Sequence, residues 1–268
     1  MRKQLSLAVA ILLALAFGVA GCSSDDDAAT SDSTTTTAAD PKATGAITVS
    51  AAASLTEAFT TIKEDFVTAN PDATVTINFG ASGQLATQIQ GGAPVDVAAF
   101  ADEAPMKTLS DGSLLAAAAK IFARNLLIIV TKPGNPKGIT TLADLATAGT
   151  ISLCGSTVPC GKFANQILKD AGVTIPTTSI TRGQDVKATL TAVTEGDAEA
   201  AIVYVTDAKA AGSTVEPVDI PEAQNVVASY PIAVIKASQN SLAAQAFEDY
   251  VLGAQGQAVL QDAGFLAP

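Results

Sequence analysis

The chain has 268 residues, with 15 basic and 26 acidic side chains, a formal net charge of −11 and no histidine. That balance argues against nucleic acid and against an electrostatic membrane patch as partners. The missing histidine excludes Ser-His-Asp and Cys-His catalytic arrangements and histidine-ligated metal sites. No glycine pattern matches a P-loop, and no Gly-x-Gly-x-x-Gly opens a helix. The acidic residues read as solvated surface rather than as paired catalytic carboxylates. A serine nucleophile at Ser54 or Ser82 would need a lysine base, and no Ser-x-x-Lys occurs at either position. An enzyme is therefore a poor reading of this chain.

The N-terminus is a targeting segment and stands outside the fold argument. Arg2 and Lys3 form a basic start, followed by an apolar run from Leu5 to Val19 that is too short to span a membrane comfortably. It ends at Val19-Ala20-Gly21-Cys22, which resembles a bacterial lipobox and implies cleavage before Cys22 and a diacylglycerol on its sulfur. An ordinary signal peptide cut nearby is the alternative. Loss of residues 1–21 leaves 13 basic against 26 acidic residues, a net charge of −13. Residues 22–44 carry Asp25-Asp26-Asp27 and a threonine run, have little to bury, and read as a flexible tether. A lipid anchor with a tether leaves a soluble domain close to a membrane, here the outer face of the cytoplasmic membrane. The chain beyond the tether is a little over 220 residues long, enough for one large or two modest cores.

Ile47-Thr48-Val49-Ser50 reads as a strand rich in β-branched side chains. Leu55, Ala58, Phe59, Ile62 and Phe66 then fall at helical spacing. Between them sits Ser54, with Glu57 three residues on, in the form of a capping box; on that reading Ser54 caps its own helix. The pattern repeats. Thr74 to Phe79 is a strand, followed by Gly80-Ala81-Ser82-Gly83 and a helix with Leu85, Ala86 and Ile89. Thr150 to Leu153 leads through a loop with Pro159, Cys160 and Gly161 into a helix with Phe163, Ile167 and Leu168, stopped at Ala171-Gly172. Thr178 to Thr181 precedes Arg182-Gly183-Gln184-Asp185 and a helix with Val186, Leu190 and Val193. Ala200 to Tyr204 is an apolar run suited to a strand buried on both faces. Alternating strands and helices of this length imply βαβ units and parallel sheets, whose ligands gather at the carboxyl ends of the strands. Helix N-termini there offer unpaired N–H groups and the positive end of a dipole, a setting for an anion.

With Cys22 assigned to lipid, Cys154 and Cys160 remain as a pair in an exported chain. Export makes a disulfide the expected state, and two free thiols the alternative. The bridge would shape the loop from Gly155 to Pro159 directly before a helix start.

The hydroxyl-bearing turns resemble those of the molybdate-binding proteins that serve bacterial ABC importers. The similarity runs from about Ile47 to the end and is carried by five segments in that family's order: Ala51 to Thr56, Gln88 to Val97, Gln184 to Lys187, Ile202 to Ala208 and Tyr230 to Val234. It implies an α/β, two-lobed periplasmic-binding-protein type II fold, each lobe a mainly parallel sheet flanked by helices. Lobe one would be 45–127 plus 234–268 and lobe two 128–233. The hinge would be two crossing strands near Ile128-Ile129-Val130 and Ala228-Ser229-Tyr230. The resemblance also implies a molybdate or tungstate site made by hydroxyls of Ser54, Ser82 and Tyr204 and by backbone N–H groups of Cys160 and Val186. Gly83 and Cys160 depart from the family's usual serine and small residue. The implied partners are an ABC permease with its ATPase; the protein would be a monomer that touches the membrane only through its lipid, without a cofactor. A carrier for another oxyanion such as sulfate is one alternative, and an anchored hydrolase or transferase using Ser54 is another.

The donor list carries its own chemistry. A dianion in an acidic protein must be held by local dipoles, and N–H and O–H groups supply them without a buried cation. A protonated phosphate would need an acceptor for its O–H, and an unmet buried donor costs about 1–3 kcal/mol. Phosphate is disfavoured provided that Asp185 caps the following helix instead of turning inward.

Overall fold

Residues 42–268 are described by a computed structural model. The signal segment, Cys22 and the tether up to residue 41 lie outside the described residues. The folded body starts earlier than expected. Ala43 is buried, and its N–H donates to Asn70 Oδ1 at 2.9 Å, so residues 42–44 are not all tether.

The first half of the chain forms β1 (Gly45–Ala52), a 3₁₀ turn (Ala53–Leu55), α1 (Thr56–Ala69), β2 (Ala73–Gly80), α2 (Ser82–Gln90), β3 (Val97–Ala99), α3 (Glu103–Asp111) and β4 (Lys120–Asn125). The second contains β5 (Leu127–Thr131), β6 (Ile151–Cys154), α4 (Pro159–Asp170), β7 (Ile180–Gly183), α5 (Val186–Thr194), β8 (Ala200–Tyr204), α6 (Val205–Ala211) and β9 (Glu216–Val218). The chain closes with β10 (Ala228–Val234), α7 (Ser241–Leu252) and α8 (Ala254–Asp262). The residue patterns account for these elements. In β2 the buried Ala73 and Val75 alternate with exposed Thr74 and Thr76, the period of a strand with one covered face. α1 buries Ala58, Phe59, Ile62 and Phe66 along one stripe. All five residues of β8 are buried, as a strand flanked by neighbours on both edges and covered on both faces requires.

The strands make two five-stranded sheets, ordered β2-β1-β3-β10-β4 and β7-β6-β8-β5-β9. In the first, β1 pairs in parallel with β2 and β3, while β10 runs antiparallel to β3 and β4. In the second, β6 is parallel to β7 and β8, and β5 is antiparallel to β8 and β9. Each sheet therefore sends most of its strands one way and one strand the other. The reversed strands, β5 and β10, are the ones entered from the other sheet. A chain arriving from the opposite lobe meets the sheet from the opposite side.

Two expected boundaries move. The chain crosses between sheets at Leu126, a single residue between β4 and β5, and again through residues 219–227. Ile128 to Val130, expected as a hinge strand, lies within β5 of the second sheet. Ala228 to Tyr230 pairs with Asn125, Arg124 and Ala123 in the first sheet, and Ile232 to Val234 pairs with β3. The stretch 228–233 thus belongs with lobe one, because its backbone groups find their hydrogen bonds there.

Aromatic rings knit lobe one to the junction. Phe59 packs on Phe122 and Phe247, Phe66 lies edge-on to Phe247 at 5.3 Å, and Tyr230 meets Phe122, Phe265 and Tyr204 edge-on. Such pairs contribute about 0.5–1.5 kcal/mol each beyond area burial.

The tightest backbone approach is at the start of α4. Cys154 at the end of β6 and Cys160 in the first turn of α4 are joined by a disulfide, with Cα atoms 5.8 Å apart. A Cβ on Gly161 would collide with the carbonyl oxygens of Gly155 and Cys154, both backbone atoms with nowhere to go. By contrast, a Cβ on Gly83 in α2 would meet nothing within 4 Å. Gly161→Ala is expected to cost about 1–3 kcal/mol or more, as overpacking does. Gly83→Ala should be neutral or stabilise by up to about 1 kcal/mol through helix propensity. Urea unfolding of the two variants beside the parent checks the opposite signs.

Candidate functional site

Where the two sheets face each other, a cleft is lined by Ala52, Ala53, Ser54, Gly80, Ala81, Ser82, Ala101, Val158, Pro159, Cys160, Asp185, Val186 and Tyr204. Its volume of ≈ 20 Å³ is far below the roughly 300–1,000 Å³ typical of drug-sized ligands, so its scale suits a small ion. All five residues singled out from the sequence, Ser54, Ser82, Cys160, Val186 and Tyr204, are on this wall. Ser54 and Ser82 come from lobe one and the other three from lobe two, each at a strand end or a helix start.

The structure overturns the capping-box reading of Ser54. The cap position of α1 falls on Leu55, no side chain caps the helix, and Ser54 sits in the preceding 3₁₀ turn. Its hydroxyl instead meets the Tyr230 hydroxyl at 2.9 Å. Glu57, the other half of the supposed box, is bound to Lys187 Nζ at 2.7 and 2.8 Å. Ser82 opens α2, and its Oγ accepts from Ala101 N–H at 3.1 Å, which leaves its own O–H free to donate.

Cys160 and Val186 supply backbone groups for a geometric reason. Val158 is the cap residue of α4, and Pro159 takes the first helical position, where a missing N–H costs nothing. Cys160 comes next in the first turn, whose N–H groups have no intrahelical acceptor. Val186 is the first residue of α5, and Asp185 is its cap. The Asp185 carboxylate accepts from Ala188 N–H at 2.9 Å, so this oxygen serves the helix even though the residue borders the cleft. Tyr204 ends β8, is 1% exposed, and its hydroxyl oxygen has no hydrogen-bond partner among the described residues. Burial pushes the phenol's pKa well up, with Tyr230 and Asp207 adding to the effect, so Tyr204 remains a protonated donor at neutral pH.

Two lysines that closely follow cleft residues on α4 and α5 have their ammonium groups already taken. Lys162 of α4 reaches Asp102 at 2.6 Å across the lobes. Lys187 of α5 lies between Glu57, at 2.7 Å, and Asp207 Oδ1, at 3.0 Å. Burial works against the Lys187 charge, but Asp207 and Glu57 outweigh it and its pKa is raised. Asp207 is fully buried, neither of its oxygens has an aligned hydrogen bond among the described residues, and burial pushes its pKa up to about 6 despite Lys187. No group of three or more Cys, Asp or Glu side chains among the described residues is arranged to hold a metal ion. The wall can therefore donate hydrogen bonds to an anion, without a free cation and without an acid–base pair.

Sequence patterns missed the cross-lobe pairs Lys162–Asp102 and Lys187–Glu57, and the roles of Tyr230, Asn125 and Thr206 behind the wall. The partners in each case lie far apart in the chain, and no spacing rule joins them.

Asp207 makes the fold pH-sensitive in a definite direction. Its folded pKa of about 6 lies above the ordinary 3.8, so the ionised form is the one that folding disfavours. Its contribution to stability is fully present below the ordinary value and is lost as pH rises through 6. Between pH 7 and pH 5 the parent should gain roughly 1 kcal/mol relative to Asp207→Asn, which does not titrate. Urea unfolding of both proteins at the two pH values checks this; parallel profiles would contradict it.

The chain has known relatives. The family model for bacterial extracellular solute-binding proteins matches residues 47–266. The molybdate-binding protein ModA of Mycobacterium tuberculosis is 39% identical over 223 residues, which cover 83% of this chain and 85% of that protein. A solved substrate-binding domain assigned to a molybdenum ABC transporter from Clostridium difficile is 30% identical, with a TM-score of 0.65, covering 83% of this chain and 99% of that one. The periplasmic molybdate-binding protein of Azotobacter vinelandii shares the fold at a TM-score of 0.73 and 20% identity, over 83% of this chain and 99% of that one. Two facing five-stranded sheets, a small cleft between them and a family match over nearly all the described residues lead to one assignment: this chain belongs to the bacterial extracellular solute-binding proteins.

Proposed function

We propose that this protein captures molybdate, and tungstate with it, between its two lobes and delivers it to an ABC importer. The observation that carries the reading is the convergence of Ser54, Ser82, Cys160, Val186 and Tyr204 on one small cleft. Their hydroxyls and backbone N–H groups are donors, which suits a fully deprotonated tetrahedral dianion. The bordering Asp185 uses a carboxylate oxygen as a helix cap, which leaves less to accept a proton from a protonated phosphate. The 39% identity to a protein named for molybdate binding supports the same ligand. Because the donors come from both lobes, a bound anion favours the arrangement in which the lobes meet, and that form would dock on the permease. The protein binds and does not catalyse. It works as a monomer outside the cytoplasm, held to the membrane by lipid on Cys22; the Val19-Ala20-Gly21-Cys22 motif supports the anchor.

Two measurements test the reading. A hydrogen bond to a charged partner is worth roughly 1.5–3 kcal/mol, so Ser54→Ala, Ser82→Ala and Tyr204→Phe should each weaken molybdate binding about 10- to 150-fold in calorimetry. Unchanged affinity in all three would move the anion elsewhere. In competition calorimetry, sulfate should bind at least about a hundredfold more weakly than molybdate. Charge and shape are the same, but sulfur–oxygen bonds are shorter. Donors anchored in two lobes then fall beyond about 3.2 Å of a smaller anion. One or two weakened charge-assisted bonds at about 1.5–3 kcal/mol each suffice for that factor. Sulfate equal to molybdate would refute the ligand while leaving the fold standing.

A further inference from the structure

Behind the cleft wall, three buried polar side chains form a chain of hydrogen bonds that ends at Ser54. Asn125 closes β4, next to the crossing at Leu126, and is completely buried. Its Oδ1 accepts from Leu126 N–H at 3.0 Å. A backbone N–H can only donate, so the amide oxygen must face Leu126 and the NH₂ group must face the other way. That NH₂ donates to Thr206 Oγ1 at 2.9 Å and reaches the Tyr230 hydroxyl at 3.4 Å. Tyr230, also completely buried, meets Ser54 Oγ at 2.9 Å.

The amide orientation decides the direction of every bond beyond it. Tyr230 receives a hydrogen from Asn125 and so must place its own hydrogen elsewhere; Ser54 Oγ at 2.9 Å is the acceptor it meets, since the neighbouring Tyr204 hydroxyl makes no hydrogen bond among the described residues. If Ser54 donated to Tyr230 instead, the phenolic hydrogen would be buried without an acceptor, at a cost of about 1–3 kcal/mol. Burial, the dominant influence, pushes the phenol's pKa up, and the proton stays in place. Ser54 therefore accepts from Tyr230, and its single hydrogen is left to point into the cleft.

We infer that Tyr230, oriented by Asn125, is a positioning residue that makes Ser54 an obligate hydrogen-bond donor to the bound anion and thereby selects ligands with bare oxygens over ligands that carry O–H groups. The inference rests on the reading of the cleft as an oxyanion site. Tyr230 does not line the cleft, so its influence on the ligand passes through Ser54. The ring is held by edge-on contacts to Phe122, Phe265 and Tyr204, which a phenylalanine would keep.

The test is a double-mutant cycle read by molybdate calorimetry on the mature-length protein, with thermal melts of the unliganded variants as the folding control. Tyr230→Phe should weaken molybdate binding about 5- to 20-fold. Added to Ser54→Ala, it should weaken binding less than about twofold further, because the hydroxyl it orients is gone. Effects that multiply would overturn the inference, since a purely structural tyrosine would act independently of Ser54. Asn125→Asp supplies a second route should Tyr230→Phe fold poorly. Its carboxylate accepts from Tyr230, which reverses the chain and turns a Ser54 lone pair toward the cleft. In that background Ser54→Ala should cost less than about twofold; a full 10-fold loss there would overturn the inference. If Ser54→Ala alone leaves molybdate affinity unchanged, the oxyanion reading itself fails, an outcome separate from a cycle in which Ser54 matters and Tyr230 does not.

Discussion

The chemistry of the cleft is set by where its positive charge is not. The nearby ammonium groups, Lys162 and Lys187, are committed to Asp102, Glu57 and Asp207. What remains to face a ligand is a set of hydroxyls and the open ends of helices. An acidic protein can hold an anion on those terms because dipoles act over short range, while net charge is spread over the whole surface and screened by salt. The same ion pairs have a second consequence. Lys162–Asp102 and Lys187–Glu57 each tie a helix of lobe two to lobe one, so the groups withheld from the ligand fasten the lobes across it.

The sheet topology is what brings the donors to one place. The parallel strands β1, β2, β6 and β7 all end at the cleft, and the 3₁₀ turn, α2, α4 and α5 begin there or one loop later. Helix starts have unsatisfied N–H groups by construction, so two sheets placed end to end present them to a common space. The close approach at Gly161 and the Cys154–Cys160 disulfide hold the α4 start against the end of β6. The reversed strands β5 and β10 are the cost of passing twice between lobes. Because that passage is a single residue at Leu126, Asn125 lies at the junction and joins both lobes to the network behind Ser54.

One error in the sequence reading lies at Ser54. Serine before a helix, with glutamate three residues later, has the form of a capping box, and its local pattern could not distinguish a cap from a ligand group. The structure removes the capping box through Tyr230 and Lys187, which lie 176 and 130 residues away in the chain from Ser54 and Glu57 respectively. Lobe boundaries failed for a related reason. Ala228 to Val234 has the composition of a buried strand and would suit either sheet; only its pairing with β3 and β4 assigns it.

Sequence by itself determined the order and type of most elements from β1 to β8 and the strand–helix junctions that carry small hydroxylated residues, because these depend on local periodicity and turn chemistry that a linear reading can see. The five positions that line the cleft came from the resemblance to a known family, carried by motifs in that family's order. Tertiary structure alone decided which strand belongs to which lobe, how the lysines are neutralised, and which buried polar groups meet from Asn125 through Tyr230 to Ser54. Those outcomes depend on contacts between residues far apart in the chain. They are governed by the need to pair buried charges and to leave no buried donor unmet, a condition on the whole fold that no single segment records.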